Sequence, residues 1–167
     1  MQLFGPIPIM DSMYGSDITK DKFPGRAHFD YCVNYVIDLL NQAEQVLPDR
    51  WSNSMYYGRA TSVICKGLKA RILLLAASPL WNGSFPNSSW QNTNYETPGY
   101  GKLLVSHQFD RNKWVKAQEA CLKAINAAEA AGHKLFDESS SEILRQNQMS
   151  DALPYIPGNT DKEFQKK

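Results

Sequence analysis

Residues 72 to 83, ILLLAASPLWNG, set the tightest limit on what this chain can fold into. An apolar run with small residues and a polar flank resembles part of a signal peptide or a membrane span. A secretory signal, however, sits at the N-terminus behind basic residues, and a span needs about 20 predominantly apolar residues. Here Lys66, Lys69 and Arg71 precede the run and Pro79 breaks it. Proline disfavours helical backbone in Ser78 and has no N–H of its own to donate. The segment is therefore read as a buried helix over 61 to 78, with Thr61 as its N-cap. Ile64, Leu68, Ile72 and Leu75 make one apolar stripe, and Val63, Gly67, Ala70, Leu74 and Ala77 make another. Such a helix must be covered on several sides. Gly67, Ala70, Ala76 and Ala77 are small enough to let neighbouring helices approach closely, so this is expected to be the central helix of a stack.

The flanks supply those neighbours. Cys32, Val36, Leu39, Leu40, Ala43, Val46 and Leu47 recur at three- and four-residue steps, which predicts an amphipathic helix over 30 to 47 that Pro48 stops. Asp110 offers an N-cap to a third helix over 111 to 131, with Trp114, Ala117, Cys121, Ala124, Ile125 and Ala128 on one face and Gly132 as the stop signal. On its other face Glu119 and Lys123 are spaced as an i,i+4 ion pair. Before the first helix, a Pro- and Gly-rich lead-in is expected to rest Leu3, Phe4, Ile7, Ile9 and Met10 on the core. After the third, at most one short helix near Glu142 to Met149 is expected. The fold class is all-α: one domain over 1 to 167, with the look of an internal piece of something longer.

Between the second and third helices lies a long loop, 79 to 109, rich in Asn, Ser, Gly and Pro yet carrying Trp81, Phe85, Trp90, Tyr95, Tyr100 and Phe109. Loops this long without regular structure are uncommon in compact domains and are disproportionately functional. A ligand is expected there first. A second candidate is the turn RWSNSMYYGR, with Trp51, Tyr56 and Tyr57, for which a packed interhelical turn is the simpler reading. Arg59 and Arg71 are candidates for binding anionic groups, with hydrogen bonds to helix-end carbonyls as the favoured role.

Other function classes find little support. Eighteen basic and 17 acidic side chains leave a formal net charge of +1, which gives no electrostatic case for nucleic acid or an anionic membrane. Cys32, Cys65 and Cys121 lack metal spacing and fall on apolar faces, as buried free thiols do. His28, His107 and His133 are scattered, and Asp11, Asp17 and Asp21 lack the calcium-loop pattern, so neither a metal nor a cofactor is expected. There is no nucleophile elbow, phosphate loop or dinucleotide fingerprint, and hence no reason to expect an enzyme. Asn82-Gly-Ser and Asn87-Ser-Ser match the glycosylation triplet, a pattern short enough to recur by chance.

Antiparallel helices with small residues at their crossing resemble a tetratricopeptide unit, although no strict 34-residue period is present. More specifically, GRATSVICKGLKARILLLAASPLWNG, residues 58 to 83, resembles the signature of the SusD/RagB family, the outer-membrane nutrient-binding lipoproteins of Bacteroidetes. LFGPIPIMD and CVNYVIDLLNQAEQVLP ahead of it, and FDRNKWVKAQEACLKAINAAEAAGHKLF behind it, stand in the family's order, so the resemblance covers residues 3 to 136. It implies a scaffold of tetratricopeptide-like helical hairpins in a non-catalytic cell-surface protein. That protein would be peripheral to the outer membrane through a lipid anchor absent from this sequence. It would bind an oligosaccharide, or in some members a peptide, and hand it to a SusC-like TonB-dependent transporter.

For an oligosaccharide the loop has the right chemistry. The C–H face of a pyranose stacks on an aromatic ring while its hydroxyls pair with planar amides. Trp90, Asn92, Tyr95 and Tyr100 are accordingly the candidate ligand-binding residues, against the alternative that such aromatics pin the loop to its own scaffold. Trp81 joins them, with packing at the helix end as its favoured role. A rival reading makes the helices a docking platform for the transporter or another partner.

Overall fold

The computed structural model describes residues 1, 4–10, 12, 13, 15–19, 23–133 and 135. The expected helix near Glu142, together with Leu3, Asp11 and Asp21, lies outside them. Met1–Gly132 packs as one compact unit and His133–Lys167 makes a second; the fold below is that of the first.

Three helices carry it, α1 (Phe29–Val46), α2 (Ser62–Ala77) and α3 (Arg111–Ala130), with no strand among the described residues. All-α is therefore the class. The caps explain the boundaries. Thr61 accepts from the Ile64 N–H at the start of α2, and Asp110 accepts from the Asn112 N–H at the start of α3. At the start of α1 the cap is His28, whose Nδ1 accepts from the Asp30 N–H at 3.1 Å. The α2 helix ends at Ala77, and Pro79 opens a 3-10 turn over Pro79–Trp81.

The α2 helix lies between α1 and α3. Phe29, at the start of α1, stacks on Trp81 beyond the end of α2, while Glu44, near the end of α1, is paired with Lys66 near the start of α2. These two helices are therefore antiparallel. At the start of α3, Lys113 bonds both Asp30 Oδ1 at 2.6 Å and the Trp81 carbonyl at 3.3 Å, tying all three helices at one end. Ala70, Ala76 and Ala77 of α2 and Ala117 of α3 are buried, as close helix packing requires.

Coverage of α2 stops at two sides. Ile64, Leu68 and Leu74 remain 47%, 43% and 48% exposed, and a Cβ placed on Gly67 would meet nothing within 4 Å. Two neighbours cannot enclose a cylinder, so one apolar side of the helix stays open. Gly67 therefore does not serve the close approach expected of it. On α3 the packed face is the small-residue line through Ala117 and Ala124, while Trp114 and Ile125 lie at its edge, 42% and 54% exposed. No ion pair forms between Glu119 and Lys123 among the described residues; exposed pairs gain too little to hold two long side chains in one geometry.

The core sits at the Lys113 end. Phe29, Val33, Ala76, Trp81, Leu104 and Val105 form its buried cluster. Full burial of side chains such as Phe29 and Val105 contributes about 1.5–3 kcal/mol each. The lead-in reaches this core through Met1 and the stretch at Gly5 and Pro6. Phe4 and Met10 are 75% and 48% exposed, contrary to expectation, whereas Gly5 and Pro6 are buried. Gly5, at φ +67°, lies so close to the Trp81 ring that a Cβ would come within 2.8 Å of it. Cys32 and Cys65 are buried, Cys121 is half-buried, and all three are free thiols. No helix among the described residues is long and apolar enough to cross a membrane.

Candidate functional site

The long loop folds back over the start of α1. Leu104 N–H bonds the Trp90 carbonyl, Asn92 N–H the Lys102 carbonyl and Thr97 N–H the Gly101 carbonyl, so 90 to 104 closes into a narrow double run. At the start of α1 it is anchored by the backbone: Phe29 N–H donates to the Leu104 carbonyl at 2.8 Å, and His28 N–H donates to the buried Thr97 hydroxyl at 2.8 Å.

This anchoring decides where the candidate residues lie. Trp81 and Trp90 belong to one column of rings. Phe29 stacks on Trp81 at 4.1 Å, Trp81 on Phe85 at 5.4 Å, and Phe85 on Trp90 at 5.0 Å, which leads from the core to the surface. Trp81 is 5% exposed and is a packing residue in this structure. Trp90 ends the column half-buried, with the Arg26 guanidinium 5.9 Å over its ring. Asn92 donates through Nδ2 to the Arg26 carbonyl at 2.7 Å, and Tyr95 packs against Gly25, where a Cβ would meet its ring. Tyr100 lies on the other side of the loop, its ring stacked on His28 at 4.2 Å and edge-on to Tyr31.

The first four thus turn towards the lead-in and the core, and Tyr100 turns towards α1. Its hydroxyl accepts from Asn34 Nδ2 at 3.5 Å. Burial, with the Asp30 carboxylate nearby, pushes the Tyr100 phenol up from its ordinary pKa, so the hydroxyl stays protonated and keeps a donor to offer. Burial also pulls His28 below its ordinary value; Asp30 opposes this, while Lys113 and His107 add to it. The imidazole therefore stays neutral, as its cap requires.

Asn34 also lines a groove of about 560 Å³ that no reading of the loop anticipates. Its floor is α2, through Lys66, Lys69 and Leu73; α1 forms one wall with Asn34, Asn41 and Glu44, and α3 the other with Lys116, Lys123 and Asn126. On the floor Glu44 accepts from Lys66 at 2.9 Å and also from Lys69, which reaches Asn41 Oδ1 at 3.0 Å as well. Burial alone would raise the Glu44 acid, but the hydrogen bonds from Lys69 and Lys66 overcome it and hold the group below its ordinary value. The sequence does carry a signal for this groove: Asn34 and Asn41, Lys116 and Lys123, and Lys66 and Leu73 are each seven apart, hence on one face of their helices.

The turn between α1 and α2 is a packed one. Trp51 Nε1 donates to the Ala60 carbonyl at 3.0 Å, and Trp51 meets Tyr56 edge-on. Arg59 lies 4.3 Å over the Tyr56 ring in place of the expected bond to a helix-end carbonyl. Of the glycosylation triplets, Asn82 is 2% exposed and wholly engaged: its Oδ1 accepts from the Asp110 N–H at 2.8 Å, and its Nδ2 donates to the Asp110 carbonyl at 3.0 Å.

No family profile matches the chain, and no curated protein matches it. Among solved structures it is similar to BT4246, with 47% identity, 96% of this chain and 26% of that chain covered, and a TM-score of 0.79. A selenomethionine form of BT4246 gives 48% identity, 96% and 25% coverage, and a TM-score of 0.74. In sequence and in backbone course, then, the chain resembles BT4246 while spanning about a quarter of its length.

Proposed function

We propose that this chain is the helical part of a SusD-like, non-catalytic cell-surface protein that binds an oligosaccharide and passes it to a SusC-like TonB-dependent transporter. The signature in residues 58 to 83 supports the family, and the antiparallel α1 and α2 support a tetratricopeptide-like hairpin. The observation that carries ligand binding is the setting of Tyr100. Its ring is stacked on His28, its hydroxyl lies beside the Asn34 amide, and Asn34 lines the groove. A fixed aromatic ring beside planar amides is the arrangement a pyranose needs. Trp90, Asn92 and Tyr95 act mainly by holding the loop that presents it.

The test is calorimetry of the full chain against a panel of neutral and acidic oligosaccharides, repeated with Tyr100→Ala and Asn34→Ala. The expected result is one cognate class whose affinity falls roughly tenfold in either variant. Unchanged affinity in both variants removes Tyr100 and Asn34 from the site. A peptide that binds where no glycan does reassigns the ligand.

One observation favours the second reading, a docking platform. Ile64, Leu68 and Leu74 on α2 and Trp114, Leu122 and Ile125 on α3 are each between 42% and 54% exposed. Counted around their helices, Ile64 and Leu68 of α2 and Trp114 and Ile125 of α3 fall on the side away from the groove-lining positions. Apolar surface of this kind marks an interaction site. Native mass spectrometry with a SusC-like transporter separates the readings: Leu68→Glu weakens partner binding and spares glycan affinity if that side docks the partner.

A further inference from the structure

We infer that the groove over α2 is an anion-binding site and that the oligosaccharide it takes is an acidic one, bearing uronate or sulfate groups on its rings. This rests on the glycan reading above and adds the charge of the ligand to it. The chain as a whole is almost neutral at +1, yet the groove brings four lysines together against two glutamates, Glu44 and Glu119. The imbalance begins at the floor. One carboxylate, Glu44, serves two ammonium groups, Lys66 and Lys69, whose side chains are only 23% and 17% exposed. Because Glu44 is already held in its charged form, this cluster cannot gain further negative charge and keeps an uncompensated positive one.

The α3 wall adds to it. Lys116 and Lys123 are seven residues apart, hence about 10 Å along one face of the helix. Both are exposed and neither forms an ion pair among the described residues. Glu119 lies between them and offsets one of the two charges. An anionic group entering between floor and wall would complete both sets at once, in a cleft where partial burial reduces screening. Asn34, Asn41 and Asn126 supply amides along the same groove for the hydroxyls of adjoining rings, and Tyr100 stands beyond Asn34 as the stacking surface. The volume falls within the ~300–1,000 Å³ range of small-molecule clefts. A glycan rather than an acidic peptide is favoured because amides and a ring accompany the lysines.

Calorimetry on the full chain at low and raised salt tests this with four probes: tetragalacturonate, a sulfated galactose tetramer, the neutral galactose tetramer and tetraglutamate. The expected result is that one or both acidic glycans bind about tenfold more tightly than the neutral tetramer. Raised salt should weaken that binding several-fold. Whichever of the two binds more tightly identifies the anionic group. In Lys116→Gln/Lys123→Gln, whose exposed side chains form no ion pair among the described residues, the advantage over the neutral tetramer should vanish while the melting temperature stays unchanged.

Equal affinity for the neutral tetramer, or an undiminished advantage in the double variant, overturns this inference and leaves the glycan reading standing. Silence towards every glycan, acidic and neutral, removes both. A preference for tetraglutamate overturns it in favour of an acidic peptide.

Discussion

Asn82 grips the backbone of Asp110 at both its polar groups, taking the N–H at 2.8 Å and giving to the carbonyl at 3.0 Å. It thereby fixes the exit of α2 against the entry of α3 from the inside, with a third bond, 3.4 Å long, to the Ala77 carbonyl. The Lys113 bridge to Asp30 then extends the same end to α1. One buried amide thus sets how the loop leaves and returns.

Asn82→Ala is expected to destabilise the chain by about 2 kcal/mol or more, because the partly buried backbone groups of Asp110 lose a side-chain partner. Asn82→Asp should cost at least as much, since a carboxylate would face two carbonyl oxygens without a hydrogen to offer. Urea unfolding followed by circular dichroism measures both. If Asn82→Asp proves neutral, the amide is not the clamp.

Trp90→Ala is expected to cost roughly 1–3 kcal/mol, as it removes the outer ring of the column and its stacking on Phe85. A binding defect in this variant is therefore ambiguous, and the melting temperature has to be read beside the affinity. Trp90→Phe should recover most of the stability; if it recovers none, the column does not support the loop.

Gly67→Ala should stabilise by about 0.8 kcal/mol, from helix propensity alone, because the added methyl points into open space. Thermal unfolding of the two proteins decides it. A loss of stability would mean that this side of α2 is covered.

Stability should fall with acid through His28. Its pKa lies below the ordinary 6.5 when folded, so the unfolded chain binds the extra proton more readily. The contribution is complete above about pH 6.5 and is lost as pH drops through the folded value. His28→Asn keeps an acceptor for the Asp30 N–H but does not titrate, and should flatten the pH dependence of the urea midpoint below about pH 6.5. An unchanged slope would assign the acid sensitivity to another group.

Much of the helical frame was legible before any coordinates, for local reasons. Thr61 and Asp110 announce helix starts within a few residues of the apolar periodicity they serve, and Pro79 ends α2 by its own covalent geometry. The loop was legible as a segment and much less so in its detail. Trp81 meets Phe29 from the far side of two helices, and Asn82 meets Asp110 across the whole loop; no local pattern encodes either partner. His28 was missed as a cap because it is an uncommon residue in that role. The groove was hidden for another reason: its polar residues look like an ordinary solvated face on each helix, and they become a site only when three such faces converge.

The clamp also bears on chemical ageing. Asn82 is followed by Gly83, the pairing most prone to deamidation, because the glycine nitrogen attacks the side-chain carbonyl when both are free to turn. Here the side chain is immobilised by Asp110 and shut away from water, so the folded chain guards the bond it depends on. Once opened, it loses that guard, and conversion of the amide to a carboxylate would turn a reversible excursion into a permanent one.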